Sequence, residues 1–258
     1  MDEVLECLKY DIQIHGFSKQ RIELIDPIAS LKADLSDWLR AKVGIKDTNE
    51  CILDKIHELM PFRRDADANS ITLEVIQHLS AMCRFDEIIY KSCPSHLQYL
   101  VGSDIHSQRS NNIVIQHPGS LRIAELHIDA EPTSKFEIVC WIPLVDCYET
   151  KSFYIVPKKY SLRLIRDYKE GRYSSWSEFK NDALKHIESI TIDYGEILYF
   201  SSCLLHGSEV NQTNETRWAI NTRFKNLFAP IGLHDPISYY RILRMSPVTK
   251  TALEFNDN

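Results

Sequence analysis

The texture of the chain changes near residue 97, and that change constrains the fold more than any single motif does. Before it, apolar residues recur at helical spacing; after it, short runs rich in Val, Ile, Tyr and Phe follow one another with turn residues between them. Asp26-Pro27 predicts a helix start, because Asp is a good N-cap and Pro is tolerated at the first helical position. Ile28, Leu31, Leu35, Trp38 and Leu39 make its apolar stripe, and Gly44 supplies the stop. A second helix is expected from Thr48-Asn49, with Ile52, Leu53, Ile56 and Leu59 on one face, ending before Pro61. A third follows Asn69-Ser70 through Leu73, Ile76, Leu79 and Met82 toward Tyr90, with Pro94 as its end. Ahead of these, residues 8–24 alternate loosely at Tyr10, Ile12 and Ile14 and read as an edge strand. His57 and His78 fall inside the helices and read as scaffold residues.

Beyond residue 97, strands are expected over 97–106, 112–116, 120–129, 136–144, 152–156, 189–193, 196–200 and 217–228. The stretch 158–188 is polar and partly helical, with a helix start near Ser175, and Tyr194-Gly195 makes a turn. Helices first and many short strands afterwards predict a mainly β protein with α: a sandwich or jelly-roll barrel with helices packed outside it. At 258 residues one domain is expected, with a helical part over 1–95, the barrel over 96–230 and a C-terminal extension over 231–258. The apolar stripes of the first 95 residues fit packing on the barrel or a homodimer contact equally well.

A formal net charge of −6 argues against a nucleic-acid surface and leaves a small molecule as the expected partner. The first residues, Met1-Asp2-Glu3, are acidic, unlike a signal peptide, and no apolar run is long enough to span a bilayer. Seven cysteines without a CxxC pair fit a reducing, cytoplasmic setting.

Within the strand-rich half, His127-Ile128-Asp129 stands out. Side chains at i and i+2 of a strand share a face, so His127 and Asp129 can reach one ion while Ile128 points away. His206, 206 − 129 = 77 residues after Asp129, follows a later strand and completes two imidazoles and one carboxylate. Three such ligands on one face leave three octahedral positions open, the arrangement suited to Fe(II) that binds a cosubstrate and molecular oxygen together. A lone histidine is commoner as a surface or core residue; the joint pattern carries the weight. His117, before Pro118-Gly119, is the competing ligand and reads as a turn residue. Arg217, 217 − 206 = 11 residues after His206, heads the next strand and can grip a carboxylate through both oxygens. Ser208 can assist, and Arg223, on the same strand face as Arg217, is the runner-up.

The segments Leu126–Asp129, Phe136–Tyr148, Thr150–Ser152, His206–Asn211, Asn214–Trp218 and Asn221–Lys225 resemble the 2-oxoglutarate, Fe(II)-dependent oxygenases of sporadic carbohydrate gene clusters, related to the streptomycin-cluster oxygenase and more distantly to phytanoyl-CoA hydroxylases. The likeness covers about residues 95–230, and its more specific parts are the Trp141-Ile142-Pro143-Leu144 strand and the spacing from His206 to Arg217. It implies a double-stranded β-helix with His127, Asp129 and His206 as iron ligands and Arg217 as the 2-oxoglutarate anchor. It also implies Trp141 and Gln116 beside the cosubstrate, and hydroxylation of a sugar, sugar nucleotide or related molecule. A carboxylate at Asp129 fills the position that iron halogenases leave to halide. The loop Ala130–Lys135 lacks the aromatic and Gly-Ser residues of the family pattern, so substrate choice differs there. Glu131 and Tyr148, with Tyr154 and Trp176, are the substrate-side expectations. Two readings stay open beside this one: a cupin-like metalloenzyme that needs the ligands but not Arg217, and a binding protein on the same scaffold.

Overall fold

The computed structural model describes residues 2–45, 51–59, 65–130, 134–233 and 236–255. Its strands are β1 (Phe17–Arg21), β2 (Ile105–Gln108), β3 (Asn112–Gln116), β4 (Ile138–Pro143), β5 (Tyr154–Ile155), β6 (Glu188–Ser189), β7 (Glu196–Ser201), β8 (His206–Gly207), β9 (Arg217–Asn226) and β10 (Tyr240–Arg244). Two antiparallel sheets result. The larger, of seven strands, runs β1-β7-β4-β9-β2-β10, with β3 also on β9; the smaller runs β6-β5-β8. An isolated bridge from His127 to His206 adds one more segment beside β8.

Strand β9 is the spine. β4 pairs along one edge from Ala219 to Phe224, while β3 and then β2 share the other. Its side chains alternate between two covered faces. Arg217, Asn221 and Arg223 face the space between the sheets. Trp218, Ile220, Thr222 and Phe224 are fully buried on the other side, under the N-terminal helices. Trp218 donates its indole N–H to the Leu53 carbonyl at 2.7 Å, which ties helix Ile52–Leu59 to the sheet. Lys151 makes a second tie: its buried ammonium reaches Asp54 at 2.7 Å and Glu215 at 2.6 Å. The N-terminal helices therefore pack on the outer face of the larger sheet. One continuous apolar cluster runs from Leu8, Leu35 and Leu53 through Trp218 to Ile142.

Helix Asp26–Val43 forms as expected and ends at Gly44, whose φ of 74° is a left-handed cap conformation. Ile28, Leu31, Leu35 and Leu39 of its stripe are buried. Its cap lies one residue earlier than expected, at Ile25. The expected second-helix limits at Thr48-Asn49 and Pro61 lie outside the described residues.

Several expectations are corrected. Residues 8–14 belong to helix Asp2–Ile14, because Leu5, Leu8 and Ile12 make a helical stripe against the core while Tyr10 and Ile14 are exposed. The edge strand is confined to Phe17–Arg21. Pro94 follows the end of helix Phe85–Ser92, as expected, but it also opens another, Pro94–Val101, so a strand starts only at Ile105. Proline at a first helical position and Gly102 after Val101 are the local cause. The stretch 120–129 forms no strand beyond the bridge at His127. Ser175 caps helix Trp176–Leu184 by accepting from the Glu178 N–H. No disulfide joins the seven cysteines, and no described helix is long and apolar enough to cross a membrane.

Trp218→Ala is expected to destabilise the protein by about 3–5 kcal/mol through the cavity it leaves, read as a lower denaturation midpoint. A wild-type midpoint would mean that the helices do not depend on this anchor.

Candidate metal centre

Two backbone hydrogen bonds bring the candidate ligands together. The His127 N–H donates to the His206 carbonyl at 3.0 Å, and the His206 N–H returns the bond at 3.0 Å. This reciprocal antiparallel pair sets the two residues side by side, and their rings lie 4.2 Å apart. The chain after His127 is held by Ser202, whose carbonyl accepts from the N–H groups of Asp129 and Ala130 at 3.0 and 2.9 Å. Asp129 thereby turns back to the same face. The His127 Nε2 is 3.7 Å from Asp129 Oδ1, and the His206 Nε2 is 3.9 Å from Oδ2. One ligand atom from each of the three lies within 4.8 Å of the others.

Each imidazole is aimed by a carbonyl two residues before it. His127 Nδ1 meets the Glu125 carbonyl at 2.7 Å, and His206 Nδ1 meets the Leu204 carbonyl at 3.0 Å. A carbonyl only accepts, so Nδ1 carries the proton and Nε2 offers a lone pair toward Asp129, the tautomer a metal ligand needs. Burial, and then the neighbouring His127, push His206 down to about 4, which keeps it neutral. Burial works to raise the Asp129 carboxyl, but Arg223 first, then His206, outweigh it and hold it below the ordinary carboxylate range. Two imidazoles and one carboxylate are a donor set for a divalent ion.

Gly207 permits this packing. A Cβ there would stand 2.5 Å from the Tyr154 hydroxyl and 2.9 Å from the Ala124 carbonyl.

The ligands open on a cleft of about 180 Å³ between the sheets, lined also by Trp141, Phe153, Phe200, Ser208, Asn221, Arg217 and Arg223. Arg217 is 5% exposed. It donates through Nη1 to the Ser152 carbonyl, its Nε has no partner, and no carboxylate pairs with it among the described residues. Burial lowers it to about 10. A buried guanidinium without a counter-charge is costly, and this one borders the cleft, so an anion entering the cleft would offset it. Ser208 is buried beside it; its Oγ accepts from the Ala124 N–H at 2.9 Å, which leaves its own proton to give. Trp141 is buried at the cleft and tilts against Phe153 at 5.1 Å.

Other expected site residues fall elsewhere. Arg223 lines the cleft, but its guanidinium is taken by Asp129 at 2.8 Å. Gln116 is the cross-strand neighbour of Arg217 and borders an adjoining cleft that Arg217 also lines; it donates to the Glu209 carbonyl at 2.7 Å, and its Oε1 has no partner among the described residues. Tyr148 donates to Glu215 at 3.0 Å, in the Lys151 cluster that ties the helix down. Tyr154 is buried under Gly207, and Trp176 borders a groove behind the ligand strand together with Leu126 and Ile128. Glu131 lies outside the described residues. His117 is buried; its carbonyl accepts from the Ser120 N–H at 3.2 Å across the expected turn at Pro118-Gly119, and its ring is bonded to Thr216 at 3.2 Å, outside the ligand set. His57 bonds the same hydroxyl at 2.8 Å, and His78 stacks on Trp38 at 4.6 Å.

Sequence reading missed Ser152, whose carbonyl holds Arg217 and whose buried Oγ has no partner. It also missed Phe153 and Phe200. Alternation along β4 and β9 marks Val139 with Trp141, and Asn221 with the two arginines; nothing local marks the two phenylalanines.

No protein-family model matches the chain, and no curated protein does. Solved structures do match in fold. One is SnoN, the non-heme alpha-ketoglutarate-dependent epimerase of nogalamycin biosynthesis, at 16% identity over 88% of this chain and 84% of that one, with a TM-score of 0.52. The non-heme monooxygenase ThoJ, as a nickel complex, matches at 15% identity over 94% and 85%, with a TM-score of 0.55. The carbocyclase SnoK of nogalamycin biosynthesis matches at 14% identity over 90% and 87%, with a TM-score of 0.54. At these identities the likeness concerns the fold.

Gly207→Ala is expected to displace Tyr154 or β8 and to weaken Co(II) binding about tenfold or more, measured by calorimetry; unchanged affinity would show that the close approach is dispensable. A second expectation concerns pH. Burial pushes His117 down to about 4 from an ordinary 6.5. Between those values the unfolded chain binds the proton and the folded chain does not, so stability is lost as pH falls through that window. One such histidine contributes at most roughly 3 kcal/mol. Melting temperature of the metal-free protein should drop from pH 6.5 to 4, less steeply in His117→Gln; parallel curves would exclude His117 as the cause.

Proposed function

We propose that this protein is an Fe(II)- and 2-oxoglutarate-dependent oxygenase that hydroxylates a C–H bond of a small molecule. The observation that carries this reading is Arg217: a buried cation with no carboxylate against it, opening on the same cleft as two histidines and an aspartate. A metal site alone would fit many enzymes. A metal site with an unpaired guanidinium in its cleft fits a ligand that is both a chelator and a carboxylate.

The strand order supports the double-stranded β-helix. The larger sheet contains the run β3-β9-β4-β7, and the smaller, extended by the His127 bridge, runs from that segment through β8 and β5 to β6. This gives two four-stranded layers with the cleft between them. SnoN, similar in fold, is known in complex with Fe3+, alpha ketoglutarate and nogalamycin RO.

The residues fit the iron and the keto acid as follows. His127 and His206 present Nε2, and Asp129 presents a carboxylate that stays ionised. Arg217, with the Ser208 hydroxyl, holds the far carboxylate of 2-oxoglutarate. When bound, ferrous iron and 2-oxoglutarate together reduce molecular oxygen and supply the oxidant for the C–H bond, with succinate and carbon dioxide released. Trp141, Phe153, Phe200 and Val139 wall the cleft with apolar surface and keep bulk water from the reacting atoms. The Glu125 and Leu204 carbonyls hold both imidazoles against rotation throughout.

The substrate we propose is a sugar, sugar nucleotide or related small molecule of carbohydrate or natural-product biosynthesis. The support is the resemblance around His127, Trp141 and His206 to oxygenases of carbohydrate gene clusters. Seven free cysteines support a reducing, cytoplasmic setting. A cupin-like isomerase would keep the three ligands but would have no use for Arg217.

Anaerobic addition of 2-oxoglutarate to the Fe(II)-loaded protein should produce a weak visible charge-transfer band; its absence would count against the oxygenase. Arg217→Met should keep Fe(II) and lose 2-oxoglutarate affinity by about 30-fold or more, as expected when one partner of a buried charge pair is removed. Wild-type affinity in that variant would favour the cupin-like reading. Succinate release across a panel of sugar nucleotides then identifies the substrate.

A further inference from the structure

We infer that Arg223 decides how Asp129 meets the metal, by holding one carboxylate oxygen so that only the other coordinates. This rests on the metal-site reading above and adds to it a positioning residue.

Arg223 Nη2 lies 2.8 Å from Asp129 Oδ1, a charge-assisted hydrogen bond. Both oxygens face an imidazole: Oδ2 lies 3.9 Å from His206 Nε2, and Oδ1, the one Arg223 holds, lies 3.7 Å from His127 Nε2, where chelation would draw it in. The two side chains are 15% and 11% exposed, so this is no loose surface pair. The guanidinium is itself fixed. Its Nη1 donates to the Gln108 Oε1 at 2.9 Å and to the Tyr239 hydroxyl at 3.5 Å. Gln108 ends β2, and Tyr239 ends the short helix before β10. Neither element carries a metal ligand, so the frame that holds Arg223 is independent of the ligand strands.

The consequence is a count of coordination positions. A carboxylate that binds through one oxygen leaves three octahedral positions beside two imidazoles. A carboxylate that chelates takes a fourth position and leaves two, too few for a bidentate keto acid and oxygen together. Arg223 occupies the oxygen that chelation would need. Its positive charge also opposes a divalent ion nearby, so the arrangement favours geometry at some expense of metal affinity. That sign separates this role from a structural prop. Removing a prop loosens the metal; removing Arg223 takes away the cation that holds Oδ1 and does not.

The test uses the full chain loaded with Co(II), whose visible absorption reports coordination number. Arg223→Gln, with near-ultraviolet circular dichroism matching wild type, should bind Co(II) at least as tightly as wild type. It should lose 2-oxoglutarate affinity by about tenfold or more, with an altered Co(II) spectrum. Arg223→Lys, which keeps one charged donor, should recover most of that affinity. Two results would overturn the inference: wild-type 2-oxoglutarate affinity in folded Arg223→Gln, or weakened Co(II) binding in it. Failure of the wild-type protein to bind Co(II) or 2-oxoglutarate would instead overturn the oxygenase reading itself.

Discussion

The candidate site depends on one reciprocal pair of backbone hydrogen bonds, between His127 and His206. Neither residue sits in a long strand: β8 has two residues and the His127 segment makes a single bridge. Side-chain contacts could not hold two such short pieces in register, but a closed pair of N–H to carbonyl bonds fixes both backbones at once. Everything else refines that contact. The i−2 carbonyls turn the rings, Ser202 turns Asp129 back to the same face, and Gly207 lets β8 lie against Tyr154.

Lys151, Arg223 and Arg217 sit deep in the molecule, as does Lys225, whose ammonium is held by the Asn226 and Ala229 carbonyls at 3.1 and 2.8 Å, and their surroundings explain their different parts. Lys151 is paired with Asp54 and Glu215 and ties a helix to the sheet. Arg223 is paired with Asp129 and stiffens a ligand. Arg217 has a carbonyl and no carboxylate, and it borders the cleft. Placing a cation out of water costs several kcal/mol unless an anion offsets it. Lys151 and Arg223 are offset within the chain; among the described residues no carboxylate offsets Arg217, and we propose that a bound anion does.

The N-terminal helices have a structural part that follows from β9. That strand turns arginines inward and Trp218, Ile220 and Phe224 outward, so its outer face is as apolar as its inner face is charged. Such a face needs a cover, and helix Ile52–Leu59 provides it through Leu53 and Asp54. The groups that hold Arg217 in place thus extend from the cleft to the helices on the far side of the sheet.

The sequence alone determined the helical first part, most of β3, β4, β7 and β9, and which residue types would meet. His-x-Asp spacing and strand alternation are local properties, and they put His127 with Asp129 and Arg217 with Asn221 and Arg223. Long-range pairing was beyond it. Arg223 looked like an anchor for the cosubstrate because a strand face says where a side chain points and not what already occupies it. Tyr148 looked available for the same reason, and Pro94, which follows one helix and opens the next, showed only the first of its two parts, because both are the same residue in sequence. Only the folded chain, by placing Asp129 against Arg223 and, among the described residues, no carboxylate against Arg217, decided which of the two guanidinium groups is spoken for within the chain: a counter-ion is chosen by distance in space, and the intervening chain carries no record of it.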